Sequence, residues 1–227
     1  MRRRRLILGI ALNYLFFSVL LFLPAGTLAW GRAWLFLGLY TTGTFAAMRK
    51  LFPSREELLE ERFKPLIQKG QPLADKIILP LFVAAYSGSI AFSSFDVFHL
   101  RLLGKPGGFV SFCGLALFAA GWRIVFFALW QNAFAASVVR HQVERGHKVV
   151  DTGLYGIVRH PMYAGGVLLM LGLPLWLESY AGALSAVLPA GLLVLRIRFE
   201  EDFLKRELPG YEAYTRKVRH RLIPRVW

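Results

Sequence analysis

The chain has 227 residues, of which 56% are hydrophobic and 15% aromatic, with 28 Lys and Arg against 14 Asp and Glu. Soluble domains are nearer half apolar and rarely hold several long uncharged runs, so an ordinary soluble globule is excluded. The net charge of +14 would point to nucleic acid in a soluble protein, but its placement along the chain gives it a different meaning.

A membrane crossing needs about 20 mostly apolar residues to cover roughly 30 Å of hydrocarbon. Residues 6–23 carry no charge and form the first such run. The preceding Met1-Arg2-Arg3-Arg4-Arg5 could open a secretory signal peptide, but the run is too long and lacks a convincing small-residue cleavage site. An uncleaved first span is expected. Residues 33–48 form a second uncharged run. Near residues 54–64 a short helix is expected to lie on the bilayer surface, with Ser54 and Glu57 as a capping box and Leu58, Leu59 and Phe63 as its apolar face.

Residues 77–95 form a third run, and residues 109–130 a fourth that is interrupted only by Arg123. Arg123 is expected to need a polar partner inside the bundle. Cys113, the single cysteine, lies in this run and reads as an inert buried thiol. Residues 162–195 are about twice the length of one span, with Glu178 near the middle. They read as a helical hairpin turning at Glu178-Ser179-Tyr180-Ala181-Gly182. The expectation is an all-α integral membrane protein with six crossings.

The basic residues fit that layout. With the amino terminus inside, 24 of the 28 fall in inner segments and only Arg32, Arg101 and Lys105 in outer loops. This is the positive-inside asymmetry, and it predicts both termini to be cytoplasmic. It accounts for the charge without nucleic acid.

Residues 1–130 hold spans and short links with no constellation of reactive groups. Residues 131–227 hold nearly all the His and most of the Arg. Between the fourth span and the hairpin lies a polar, glycine-punctuated loop ending in Arg159-His160-Pro161-Met162-Tyr163. The residue before proline is pushed out of helical geometry, and proline favours the first helical turn. His160 is therefore the expected cap and Pro161 the helix start. The exposed N–H groups there, with Arg159 and His160, suit an anionic group; contact with lipid phosphates is the alternative. Arg196 and Glu200, four apart, share a helix face, as an ordinary ion pair would or as a reactive pair would. Pro209-Gly210 is expected to stop that helix, with one more short helix over residues 211–218. Metal spacings, a dinucleotide fingerprint, a phosphate-binding loop and a nucleophile elbow are all absent from the sequence.

The residues Gly146 to Gly165, then Arg196-x-x-x-Glu200-Glu201, then Leu204 through Tyr211-x-x-Tyr214, resemble the isoprenylcysteine carboxyl methyltransferase family. Membrane phospholipid N-methyltransferases are its relatives. The resemblance is strongest over residues 131–227, which it implies to be the catalytic part. It implies an enzyme that uses S-adenosylmethionine, releases S-adenosylhomocysteine and acts on a lipophilic or lipid-modified acceptor. Cofactor contacts carried over by position are Arg140, His147, Lys148, Val149, Val150, Tyr155, His160, Pro161, Met162, Tyr163 and Glu201. Arg196 and Glu200 match the catalytic pair, and no metal is implied. The alternatives left open are a phospholipid amine methyltransferase, a membrane sterol-type reductase using NADPH, and a non-enzymatic scaffold.

Overall fold

The computed structural model describes residues 3–227. Met1 and Arg2, and the side chains of residues 3–6, 52 and 53, lie outside the described residues, so the basic opening Arg2 to Arg5 is not placed. The described residues form helices and turns without strands. In chain order the helices are α1 (Arg3–Ala25), α2 (Gly31–Arg62), α3 (Leu73–Phe95), α4 (Gly108–Gln131), α5 (Pro161–Trp176), α6 (Tyr180–Ser185), α7 (Val187–Glu207) and α8 (Tyr211–Lys217).

Among the described residues, four stretches are long and apolar enough to cross a membrane: Ile7–Ala25, Leu73–Leu100, Gly108–Gln131 and Tyr180–Glu207. The six crossings expected include two helices outside that set. One is α5, apolar but only 16 residues long. The other is α2, whose apolar first half runs on into a charged second half. Large apolar side chains such as Leu12, Leu39, Leu81 and Phe112 are exposed, as a lipid-facing surface requires.

The short helix expected near residues 54–64 is present as the last part of α2, set off from the rest by a kink. The helix kinks at Arg55, whose φ of −137° leaves the helical region. The kink falls two residues after Pro53, which cannot supply a helical N–H. Ser54 stays within the helix and caps nothing. Leu58 and Leu59 are buried against the bundle, while Phe63, the third residue of the expected apolar face, is exposed. Arg55 reaches across to the end of α4, donating to the Trp130 carbonyl from Nε (2.8 Å) and Nη2 (2.6 Å).

The turn at Glu178 is present, and Glu178 itself has φ of 72°. Yet α5 does not lie mainly along α7, as a hairpin would place it. It packs along α4, while α7 packs along α3. The cause is a glycine seam. A Cβ on Gly172 would stand 2.5 Å from the Phe118 nitrogen, and one on Gly121 2.6 Å from the Gly165 oxygen. Small residues let two helices approach backbone to backbone in lipid, where packing rather than water drives association.

At one end of the bundle Glu178 accepts ion pairs from Arg32 (2.8 Å) and Lys105 (2.9 Å). Nearby, Ser179 donates to Asp96 at 2.6 Å. An aromatic core from α1, α2, α4 and α5 fills this half, including Phe17, Phe36, Phe118 and Trp176. Arg123 is exposed, with its guanidinium 6.0 Å from the Phe127 ring. A long stem lets such a residue reach the interface from within a span, so the expected interior partner is not needed. The ends of α2 and α4 and the starts of α3 and α5 gather at the opposite end, with the second half of α7 and all of α8.

Candidate functional site

That second end is built from the loop between α4 and α5. Asn132 caps α4 and its Oδ1 accepts from the Phe134 N–H at 2.8 Å, which turns the chain out of the helix. Gln142 is fully buried and donates to the Phe134 carbonyl at 2.8 Å; Arg145 donates to the Ala133 carbonyl at 2.9 Å. These bonds fold the loop back on itself. Farther on, Gly153 has φ of 59°, and a Cβ there would stand 2.6 Å from the Gln131 amide. Only glycine meets both demands. The same Gln131 accepts from the Leu154 N–H at 2.8 Å. The loop is thereby pinned to the end of α4.

His160 is the N-cap of α5 and Pro161 its first residue, as the sequence predicts. The donors gathered there are aimed at a protein carboxylate. Arg159 donates to Glu201 from Nε (2.6 Å) and Nη2 (3.1 Å), His160 Nε2 donates to it at 3.0 Å, and Arg221 Nε at 2.9 Å. Glu201 and Arg159 are both buried. A buried carboxylate must be paired, and here α7 supplies the anion that the α5 start attracts. The chain end strengthens the joint: Arg159 N–H donates to the His220 carbonyl and His160 N–H to the Arg221 carbonyl, both at 2.9 Å.

Arg196 and Glu200 share the face of α7 that looks into the site, but each takes its partner from another element. Arg196 Nε donates to Asp75 Oδ1 at 2.8 Å, and its Nη2 donates to the Ser137 carbonyl at 2.7 Å. Asp75, in the first turn of α3, also accepts from the Val139 N–H at 2.9 Å and from Gln71 at 2.7 Å. Glu200 accepts from the Tyr163 hydroxyl at 2.6 Å. Tyr163 stacks on His160, ring centroids 5.5 Å apart, and lies under the Arg196 guanidinium at 5.6 Å.

Together these groups line a partly open cavity with about 770 Å³ of space between its atoms, open solvent included. Arg140, His147, Lys148, Val149, Val150, Tyr155, His160, Met162, Tyr163, Arg196 and Glu200 line it. Of the thirteen candidate residues, Pro161 and Glu201 do not. Pro161 begins the helix behind the wall, and Glu201 is enclosed by its own donors. The wall also contains Arg159, which the sequence offered as a donor beside His160, and residues not named as contacts, chiefly Asn132, Phe134, Tyr211 and Tyr214. The two tyrosines stand in the quoted Tyr-x-x-Tyr pattern, which was a usable signal. Tyr214 donates to the Tyr155 carbonyl at 2.7 Å and so ties α8 to the loop.

The electrostatics of the loop are specific. His147 accepts from the Gln142 N–H through Nδ1 at 3.4 Å. Burial, then the charges of His141, Arg145 and Arg140, hold its pKa down at about 4. It is therefore neutral at pH 7. Arg140 pairs with Glu61 Oε2 (3.0 Å) and Glu144 Oε1 (2.6 Å). Its Nε is buried without a hydrogen-bond partner among the described residues. Such a donor costs stability unless a ligand satisfies it. Burial raises the pKa of Tyr155, Tyr211 and Tyr214, so all three remain neutral phenols. The described residues hold no group of three or more metal-ligating side chains.

A bundle of helices, four of them long and apolar enough to cross a membrane among the described residues, with a cavity of mixed polar and apolar lining at one end, is the class that the fold and site define. Residues 109–209 match the phospholipid methyltransferase family. Over 122 residues the chain is 34% identical to a probable protein-S-isoprenylcysteine O-methyltransferase from Oryza sativa subsp. indica, and equally so to one from subsp. japonica. These matches cover 50% of this chain and 61% of each relative. Over that part the chain is similar to these methyltransferases, and it spans less than two thirds of the length of the relatives it matches.

Proposed function

We propose that this chain is an integral membrane methyltransferase that uses S-adenosylmethionine to methylate a lipophilic acceptor, with carboxyl O-methylation of the isoprenylcysteine type as the leading reading. The observation that carries it is the cavity itself, which joins the 132–163 loop to Arg196 and Glu200 of α7 and the tyrosines of α8. The family relationship supports the same reading. Six crossings with both termini cytoplasmic agree with the gathering of loop, tail and most basic residues at one end.

The residues present suit the cofactor. Val149, Val150, Met162 and Tyr155 offer apolar and aromatic walls, and aromatic faces stabilise a cation by roughly 0.5–2 kcal/mol. Lys148 and the unsatisfied Arg140 Nε offer donors for a carboxylate or hydroxyl. Neutral His147 can donate or accept without adding charge. When bound, S-adenosylmethionine supplies the activated methyl group, and that chemistry is its own. The protein's work is positioning, which can supply roughly 7–11 kcal/mol. Asp75 fixes the Arg196 guanidinium against the Ser137 carbonyl, and Tyr163 fixes Glu200. Both groups are thus held rigidly at the cavity wall.

A phospholipid amine methyltransferase is the second reading. It draws on the family match over residues 109–209 and on Glu200, a carboxylate in the wall that could take a proton from an amine. Titration calorimetry in detergent separates methyl transfer from a sterol-type reductase or a scaffold. S-adenosylhomocysteine is expected to bind and NADPH not to; NADPH binding alone would reject methyl transfer, and binding of neither would favour a scaffold. A screen of prenylcysteine analogues, fatty acids and phosphatidylethanolamine with labelled cofactor then assigns the acceptor.

A further inference from the structure

We infer that residues 219–227 form a docking surface for anionic lipid, and that docking there tightens the cofactor cavity. The effect on the cofactor rests on the methyltransferase reading above; the docking surface does not.

From Ala213 to Trp227 the chain holds five Lys or Arg and no Asp or Glu. Three of the five have acidic partners: Arg216 pairs with Glu212, Lys217 with Asp151 and Arg221 with Glu201. Arg219 and Arg225 are exposed and, among the described residues, have no acidic partner. The N–H groups of Arg221, Leu222 and Ile223 all donate to the Trp227 main-chain oxygen, at 2.9, 2.9 and 3.1 Å, which folds the segment on itself. A tight turn over residues 223–226 is closed by the Val226 N–H donating to the Ile223 carbonyl at 3.1 Å. Pro224 suits the second position of such a turn. Arg225 holds the third with φ of 65°, a value that favours glycine. A free cation therefore stands at the tip, where glycine would fit with less strain.

Packing sets the depth of this segment. Leu222 and Trp227 join the cluster that contains Met170, Leu193 and Ile197 of α5 and α7. Beside those residues α7 carries an exposed apolar stripe, Leu184, Leu188 and Leu195, which ends at the exposed Arg198. A charge that ends a lipid-facing stripe marks the bilayer boundary. Leu193 and Ile197 precede that mark, so a segment packed on them lies at the boundary and not in bulk water. Ile223 and Val226 are nevertheless 55% and 75% exposed. Exposed apolar residues interleaved with unpaired arginines are what an interfacial anchor presents, hydrocarbon to acyl chains and cation to phosphate. Each arginine near an anionic surface adds about fivefold to the attraction. Zwitterionic head groups carry no net charge and give no such gain.

The same segment supports the site. The Arg159 guanidinium donates to the Val218 and Arg219 carbonyls at 2.7 and 2.9 Å. The main-chain N–H groups of Arg159 and His160 donate to the His220 and Arg221 carbonyls. Both Arg159 and His160 line the cofactor cavity. A lipid surface that favours the docked segment therefore favours the assembled cavity, and by linkage the cofactor strengthens the lipid contact.

The test places the full chain in nanodiscs of phosphatidylcholine alone, or of phosphatidylcholine with about one-third phosphatidylglycerol, and titrates S-adenosylhomocysteine by calorimetry. At low salt the wild type is expected to bind at least about fivefold more tightly in the anionic discs, the low end for coupled sites. The gain is expected to vanish near about 1 M salt. Arg219→Gln combined with Arg225→Gln is expected to remove it. Equal wild-type affinities in the two lipids, or a gain undiminished in the double variant, would overturn the coupling. Docking is read without any methyl donor. A fluorophore on Val226→Cys, with Cys113→Ser to remove the native thiol, is expected to be quenched by spin-labelled phosphatidylglycerol more than one on Glu212→Cys, exposed on α8. Equal quenching would overturn the docking surface. Failure of S-adenosylhomocysteine to bind in either lipid would instead sink the methyltransferase reading, and the quenching would still decide the docking.

Discussion

Replacing Glu201 with alanine tests whether the joint between α5 and α7 carries the site. Glu201 is 1% exposed and Arg159 7% exposed. Removing one partner of such a buried pair costs about 3–5 kcal/mol, because the other charge is left uncompensated. Two features place this site at the low end of that range. Arg159 keeps the Val218 and Arg219 carbonyls, at 2.7 and 2.9 Å. Arg221 is about a third exposed, so its share is largely screened by solvent. The expected loss for Glu201→Ala is therefore about 3 kcal/mol, more than a hundredfold in the unfolding equilibrium. Glu201→Gln keeps an acceptor oxygen and is expected to lose about half as much. The measurement is equilibrium denaturation in detergent micelles followed by far-ultraviolet circular dichroism. S-adenosylhomocysteine affinity is expected to fall in parallel, because Arg159 and His160 line the cavity. A Glu201→Ala protein within about 0.5 kcal/mol of wild type, an ordinary surface effect, would refute the reasoning.

Asp75→Asn releases Arg196 from its clamp. Turnover is expected to drop at least about tenfold, as loss of a charge-assisted bond implies, with S-adenosylhomocysteine affinity within about twofold of wild type; equal losses in both would contradict a positioning role. Gly172→Ala forces α4 and α5 apart and is expected to cost about 3 kcal/mol or more, at the upper end of overpacking effects. Gly191→Ala, with nothing within 4 Å of the added Cβ, serves as the neutral control in the same denaturation assay. The His147 ring is expected to titrate near pH 4 by nuclear magnetic resonance, and a midpoint at its ordinary 6.5 would refute the burial argument. Its folded pKa lies below the unfolded value, so the associated stability is present above about pH 6.5 and is lost as pH falls towards 4. Partial exposure trims the loss to about 1–2 kcal/mol.

Local rules carried the sequence reading furthest where the cause is local. The start of α5 at Pro161 and the stop at Pro209-Gly210 follow from single-residue backbone preferences, and the turn at Glu178 from a charge that interrupts a long apolar run. The loop and the α7 face were brought to one site by the resemblance, and the structure joins them through Tyr163–Glu200 and Arg159–Glu201. Pairing between distant helices was less legible. Arg196 and Glu200 are four apart and suggest each other, yet their partners are Asp75 and Tyr163, set by how α3 and α5 pack on α7. Asp75 looks in the sequence like a stray charge beside a span. Nothing within ten residues of it reveals that it faces the site. The α4–α5 pairing did leave a trace, since Gly114 and Gly121 repeat the seven-residue spacing of Gly165 and Gly172. The short helix near residue 54 was legible as a helix, but that it follows α2 across a kink at Arg55 rather than after a loop was not.

The seam between α4 and α5 also limits how the molecule can breathe. With main chains this close, the two helices must travel as a single beam, and the wall they carry cannot swing outward. The opposite rim is held by fewer and looser contacts, with α8 tethered to the loop by the Tyr214–Tyr155 bond and an exposed Lys217–Asp151 pair. Of those two fastenings the ionic one is solvated and weak, which makes the tyrosine hydroxyl the principal latch.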